Sequence, residues 1–238
     1  MKNNKYSFSI IELLLTLSIV SMVLFSIYSI FYSGIKLSHR SQIQNNVYRE
    51  ARMAFNLIEK ELENALFYDF TNSYPDKESF VGSSDKITFL IEKDGELKAV
   101  SYFLISANEG DIHTVIINEA YKKNINIKIK DEEYSLMNFL VRQESNFVDF
   151  VKDAELEENG LEIISSNIKE RGLKFYYGYL LNKETEEISW KNEWKNNYNP
   201  SNLRVEIDFL NSADNSKVLR LSKEILVSTG YLGAEETP

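Results

Sequence analysis

Glu12 stands at the head of a segment, Leu13 to Ile35, that carries no charged side chain. As a helix rising 1.5 Å per residue this stretch covers roughly 35 Å, enough to cross a hydrocarbon core of about 30 Å. A carboxylate at the entry to such a span costs about 2.5–3.5 kcal/mol if it lies deep, so it calls for a partner. The flank Met1-Lys2-Asn3-Asn4-Lys5-Tyr6-Ser7 is short, polar and cationic, which predicts that this end stays in the cytoplasm. The chemistry these residues suggest is ion pairing. The plainer reading is an uncut signal anchor whose Glu12 snorkels to the interface.

Other chemistry finds little support. His39 and His113 show no ligand spacing, no Gly-rich phosphate loop is present, and Ser-rich positions lack a base at a recognisable motif. Paired acids could in principle do glycosidase chemistry, but no motif frames them. The run Asp149, Asp153, Glu155, Glu157 and Glu158 supplies oxygens suited to calcium, yet its spacing fits no EF-hand loop and reads as a solvated acidic loop. With no Cys in 238 residues there is neither a disulfide framework nor a thiolate metal site. The expectation is a protein that is not an enzyme and uses no cofactor and no metal. The formal charge is −9, of which residues 1–36 contribute +2 and the remainder −11, so nucleic acid is not an expected partner.

The elements that would position Glu12 follow from periodicity. Val47, Ala51, Ala54, Ile58, Leu62 and Ala65 recur at steps of four and three on one helical face, with Arg49, Arg52, Glu59, Lys60, Glu61 and Glu63 mostly on the others. The stripe predicts a seam that packs this helix on its own domain and leaves charges such as Arg49 and Arg52 as possible interface residues. Only Gly34 weakens the junction with the apolar segment. After Tyr74-Pro75 the pattern changes to strands. Lys86–Ile91 and Leu97–Ile105 flank Lys93-Asp94-Gly95-Glu96, whose Asp-Gly is a hairpin turn signal. Ile112–Asn118 and Ile125–Ile129 read as further strands. Leu173, Phe175, Tyr177 and Tyr179 alternate, as do Leu203, Val205, Ile207 and Phe209, before a loop from Asn211 to Lys217 and a last strand at Val218–Val227. Two or more antiparallel sheets against one N-terminal helix are expected. The domain reading is residues 1–7 leader, 8–35 transmembrane segment, 36–70 amphipathic helix and 71–238 β-rich head, a size at which burial alone can supply a core.

Ser7-Phe8 with Glu12 five residues into the processed chain resembles the class III signal of type IV pilins and pseudopilins, with Ser7 where that family strongly favours Gly. The stretch Ala51 to Ala65 resembles the helix of the type II secretion minor pseudopilin J family, an aliphatic stripe leading into an acidic end. Gly172-Leu173-Lys174-Phe175-Tyr176-Tyr177, then Trp190 and Trp194, then Pro200 ahead of Leu203-Arg204-Val205-Glu206-Ile207, is similar to the same family's aromatic strand, Trp-bearing loop and Pro-led strand.

The resemblance implies an α+β, pilin-like fold in a single-pass inner-membrane protein with its head in the periplasm. It implies a prepilin peptidase/N-methyltransferase acting at Ser7 and Phe8, and Glu12 pairing with the methylated amine of a neighbouring subunit. It implies I-type and K-type minor pseudopilins, and the major pseudopilin, as partners in a pseudopilus tip. Trp190 and Trp194 are either a pair stapling a loop onto a sheet edge or exposed interface residues. The alternatives are a minor pilin of a type IV pilus or DNA-uptake machine, which shares every N-terminal feature, and a signal-anchored periplasmic binding module whose Ser7 site stays uncut.

Overall fold

The computed structural model describes residues 9–70, 72–106, 138–152, 160–182, 187–211 and 214–230. Ser7, Phe8, His113 and the expected strands at 112–118 and 125–129 lie outside the described residues, as do Asp153, Glu155, Glu157 and Glu158. A single helix, α1, runs Ile10–Glu63, and the chain divides into two compact units, Met1–Asn46 and Val47–Pro238.

In the first unit α1 is apolar on all sides from Leu13 to Ile35 and exposed on all sides there. Its leucines, isoleucines and phenylalanines from Ile10 to Ile35 are each more than half exposed or nearly so. The helix is long and apolar enough to cross a membrane. The hydroxyls within it bond backward, Thr16 Oγ1 to the Leu13 carbonyl and Ser26 Oγ to the Met22 carbonyl, both at 2.9 Å, which leaves no free donor at those positions.

The second unit is α+β. Its strands are β1 (Ala65–Leu66), β2 (Phe80–Gly82), β3 (Lys86–Lys93), β4 (Glu96–Ser106), β5 (Asn138–Asn146), β6 (Leu161–Asn182), β7 (Glu187–Lys191), β8 (Asn202–Asn211) and β9 (Asp214–Leu226), with a short helix α2 (Phe147–Val151) after β5. Among the described residues these form one antiparallel sheet in the order β1-β3-β4-β5-β6-β8-β9, with β2 also on β3 and β7 also on β6. The expectation of two or more sheets is therefore corrected. The reason is the 22-residue β6, whose first half pairs with β5 and whose second half pairs with β7 and β8, splicing what would be two sheets into one. Midway the register jumps from Ile168↔Phe209 to Leu173↔Ile207, leaving Lys169–Gly172 opposite Asp208 alone. Arg171 turns this bulge with φ 55°.

The helical stripe does what its spacing predicts. Ala51, Ala54, Ile58 and Leu62 are buried, joined by Phe55, and Val47 packs half-buried beside them. They meet Phe89, Tyr102, Phe175, Tyr177 and the whole alternating set Leu203, Val205, Ile207 and Phe209. Ala65 is buried too, but on β1, because the helix stops at Glu63 and not near residue 70. Three side chains take up its last carbonyls: Asn64 bonds Lys60, Ser228 bonds Glu63, and Thr229 bonds the Ala65 carbonyl just beyond. The β3–β4 hairpin turns on Asp94 (φ 56°) and Gly95 (φ 79°), both left-handed, the pair a two-residue primed turn requires. On the opposite face Leu90 and Ala99 meet Phe70, covered by Phe147 and Phe150 of α2. The last strand starts at Asp214, four residues earlier than expected, because Asn211 and Asp214 already pair and shorten the loop.

Candidate functional site

At the helix start, the amides of Glu12 and Leu13 both donate to the Ser9 carbonyl, at 3.0 and 3.2 Å. Glu12 thus occupies the first turn of α1, where the positive end of the helix dipole favours an acid. Its side chain is exposed and has no ion-pair partner among the described residues. Arg49 and Arg52 lie on the exposed side of α1 in the second unit, likewise without an ion pair among the described residues. The structure leaves each of these three charges open to a partner.

The two tryptophans separate. Trp190, on β7, is half-buried and lies across Gly178 of β6, where a Cβ would approach its ring at 3.2 Å. The Arg204 guanidinium sits 4.2 Å from its centroid and pairs with Glu224 at 2.7 Å. Trp194 is 1% exposed, so its reading as an interface residue is corrected. Backbone bonds in both directions tie it to Gly82, and its indole N–H donates to the Tyr198 carbonyl at 2.7 Å. Gly82 has no side chain because the Tyr177 ring fills the space a Cβ would take, and the Tyr177 hydroxyl reaches the Ser83 carbonyl at 2.6 Å. Burial pushes the Tyr177 phenol up, with Asp85 adding to it. Trp194 is the staple, and Trp190 remains available.

A charge cluster that sequence reasoning missed joins α1 to the sheet. Arg142 of β5 donates from Nε to Glu61 Oε1 and from Nη2 to Glu144 Oε2, both at 2.8 Å, and its Nη2 also lies 2.7 Å from Glu61 Oε1 as an ion pair. Tyr102 donates its hydroxyl to the other Glu61 oxygen, and Lys93 bonds Glu144 at 2.7 Å. Burial opposes the charge on Arg142, but the two carboxylates outweigh it and hold the guanidinium above its ordinary range. Burial, then the Glu61 carboxylate, push the Tyr102 phenol up. Glu144 is raised by burial but held below its usual value overall by Lys93 and Arg142. Two further links, Lys223 to Glu59 at 2.6 Å and Ser165 to Glu50 at 3.0 Å, flank the cluster. Each charged member of the cluster has an opposite charge within the fold, which makes the arrangement a register device.

An open cleft of about 1030 Å³ lies beside the β6 bulge, with Lys86, Arg171 and Lys174 facing Asp85 and Glu170. Lys86 lies 5.0 Å from the Phe103 ring centroid. Among the described residues no group of three or more His, Asp or Glu could hold a metal ion. No protein-family model, curated protein or solved structure matches the chain.

Proposed function

We propose that the chain is a minor pseudopilin of the J type, an assembly component of a type II secretion system that helps start or cap a short periplasmic pseudopilus. The observation that carries the reading is Glu12, a single carboxylate in the first turn of a helix whose next 23 residues are uncharged. An acid of this kind placed in lipid is costly alone, and a cation presented by a neighbouring subunit offsets that cost, so its charge acts as a register key for stacking. In this reading peptidase cleavage after Ser7 creates that cation on Phe8. The head, acidic and held by an internal charge cluster, works by protein contact with I-type and K-type subunits. Support comes from the α+β head, with an amphipathic helix packed on an antiparallel sheet, and from the exposed, apolar first unit.

N-terminal mass spectrometry of the protein extracted from membranes tests the reading. The expected mature chain begins at Phe8. An intact leader, or a cut after the apolar segment, overturns it. Purified I-type and K-type domains should then bind the head, with the ternary complex more stable than either pair.

A further inference from the structure

The apolar span ends at Ile35, and the residues around that end form one row on α1: Tyr28, Tyr32, Lys36 and Arg40, each four residues after the last. Residues so spaced are neighbours on a helix surface. The two phenol rings stack, with centroids 6.2 Å apart and planes 18° from parallel. They are 66% and 58% exposed, so the stack covers no core. Lys36 and Arg40 are also exposed, with His39 three residues after Lys36, and neither cation has an ion-pair partner among the described residues. Two like charges at this spacing destabilise a helix unless an anion joins them.

Depth decides what that anion is. The headgroup layer adds about 5–7 Å to each side of a hydrocarbon core. Four residues of helix, from Lys36 to Arg40, cover about 6 Å. If Leu13–Ile35 fills the hydrocarbon, the two cations fall in the headgroup layer, and Tyr32 and Tyr28 lie about 6 and 12 Å deeper than Lys36, beside the upper part of the acyl chains. A free phosphate would use the cations and leave the tyrosine stack without a role.

We propose that this row is a binding site for an anionic phospholipid, its phosphate held between Lys36 and Arg40 and its acyl chains against Tyr32 and Tyr28. The site rests on the reading of α1 as a membrane span. It fixes the depth and rotation of the helix in the leaflet by a specific contact, in addition to the non-specific pull of the apolar surface.

The experiment uses the full-length protein reconstituted in phosphatidylcholine bilayers containing a trace of spin-labelled phosphatidylglycerol or spin-labelled phosphatidylcholine. The motionally restricted fraction gives the relative association of the two lipids, and retention after an alkaline wash reports insertion separately. Phosphatidylglycerol should be preferred at least about fivefold, the change expected of one cation near an anionic surface. Lys36→Gln/Arg40→Gln should remain inserted and show a ratio near one, whereas Lys60→Gln should keep the preference. Equal association of both lipids with the inserted wild type, or a preference that survives Lys36→Gln/Arg40→Gln, overturns the site. Loss of the protein in the alkaline wash overturns instead the membrane reading beneath it.

Discussion

Glu61 in the last turn of α1 and Arg142 in the middle of β5 are 81 residues apart in sequence and are joined by one hydrogen bond at 2.8 Å and an ion-pair contact at 2.7 Å, with side chains 13% and 8% exposed. Removing one member of such a pair strands the other. Arg142→Met should cost about 3 kcal/mol, because Glu61 loses its only cation and keeps its burial. The triple replacement Glu61→Leu/Arg142→Met/Tyr102→Phe, which leaves no orphan, should recover most of that loss. Denaturant unfolding followed by tryptophan fluorescence measures both. An Arg142→Met protein as stable as the wild type would show that the pair contributes nothing to holding α1.

The pH dependence follows from Glu144 and Asp208. Both carboxyls titrate below their ordinary values of 4.5 and 3.8, Glu144 through Lys93 and Arg142 despite its burial, Asp208 through Arg220. A depressed folded-state value means the stabilisation is complete above the unfolded value and lost as pH falls through the folded one. The head should therefore hold its stability down to about pH 4.5 and lose it below. Glu144→Gln should flatten that acid limb. An unchanged slope in urea titrations between pH 5 and 3 would remove Glu144 from the account.

Trp194→Ala should destabilise the head by about 3–5 kcal/mol, the usual cost of emptying a core aromatic site. Trp190→Ala should cost about 1 kcal/mol or less, since its ring is half-exposed and its contact with Arg204 is a surface one. Thermal melts separate the two. If Trp190 contributes to a partner interface, its replacement should weaken pull-down of the I-type domain without moving the melting temperature.

Glu12→Ala should leave membrane insertion unharmed or slightly improved, because it removes a charge from the span. If the chain is a pseudopilin as proposed, its co-purification with I-type and K-type subunits should fall. Fractionation and co-purification are thus expected to diverge, and unchanged co-purification would show that the carboxylate carries no register information.

A fragment beginning near Ser38, without the apolar segment, should be soluble and folded, since the buried stripe of α1 faces its own sheet. Circular dichroism and size-exclusion chromatography check this. Aggregation of that fragment would mean the sheet needs the preceding residues to close.

Much of this architecture is legible in local sequence. The Val47-to-Leu62 steps, the Asp94-Gly95 turn and the alternation from Leu203 to Phe209 each report on neighbours a few residues away, and local pattern is what sequence carries most directly. The charge cluster was not legible, because nothing near Glu61 points to Arg142, Tyr102 or Glu144; an acid on the charged side of a helix looks solvated until the sheet curls round to meet it. Nor was the single sheet, since the alternation from Leu173 shows only the second half of β6, which begins at Leu161 and bulges at Lys169–Gly172 before continuing. The tryptophans could not be told apart by spacing, because burial of Trp194 depends on Gly82, more than a hundred residues away.

The closing strand bears on the order of events during synthesis. The face of α1 that holds Ala54 and Ile58 is completed by Ile225 and Val227, and Glu59 finds Lys223 across 164 residues. An N-terminus-first chain thus emerges with its helix long before the strands that cover it exist. Contacts of such sequence separation make folding slow, and the apolar stripe stays incompletely covered until the last quarter of the chain is delivered. If the head is exported as proposed, the translocating chain should remain threadable almost to its end, and a truncation that removes β9 should leave a product for chaperones and proteases, not a smaller working head.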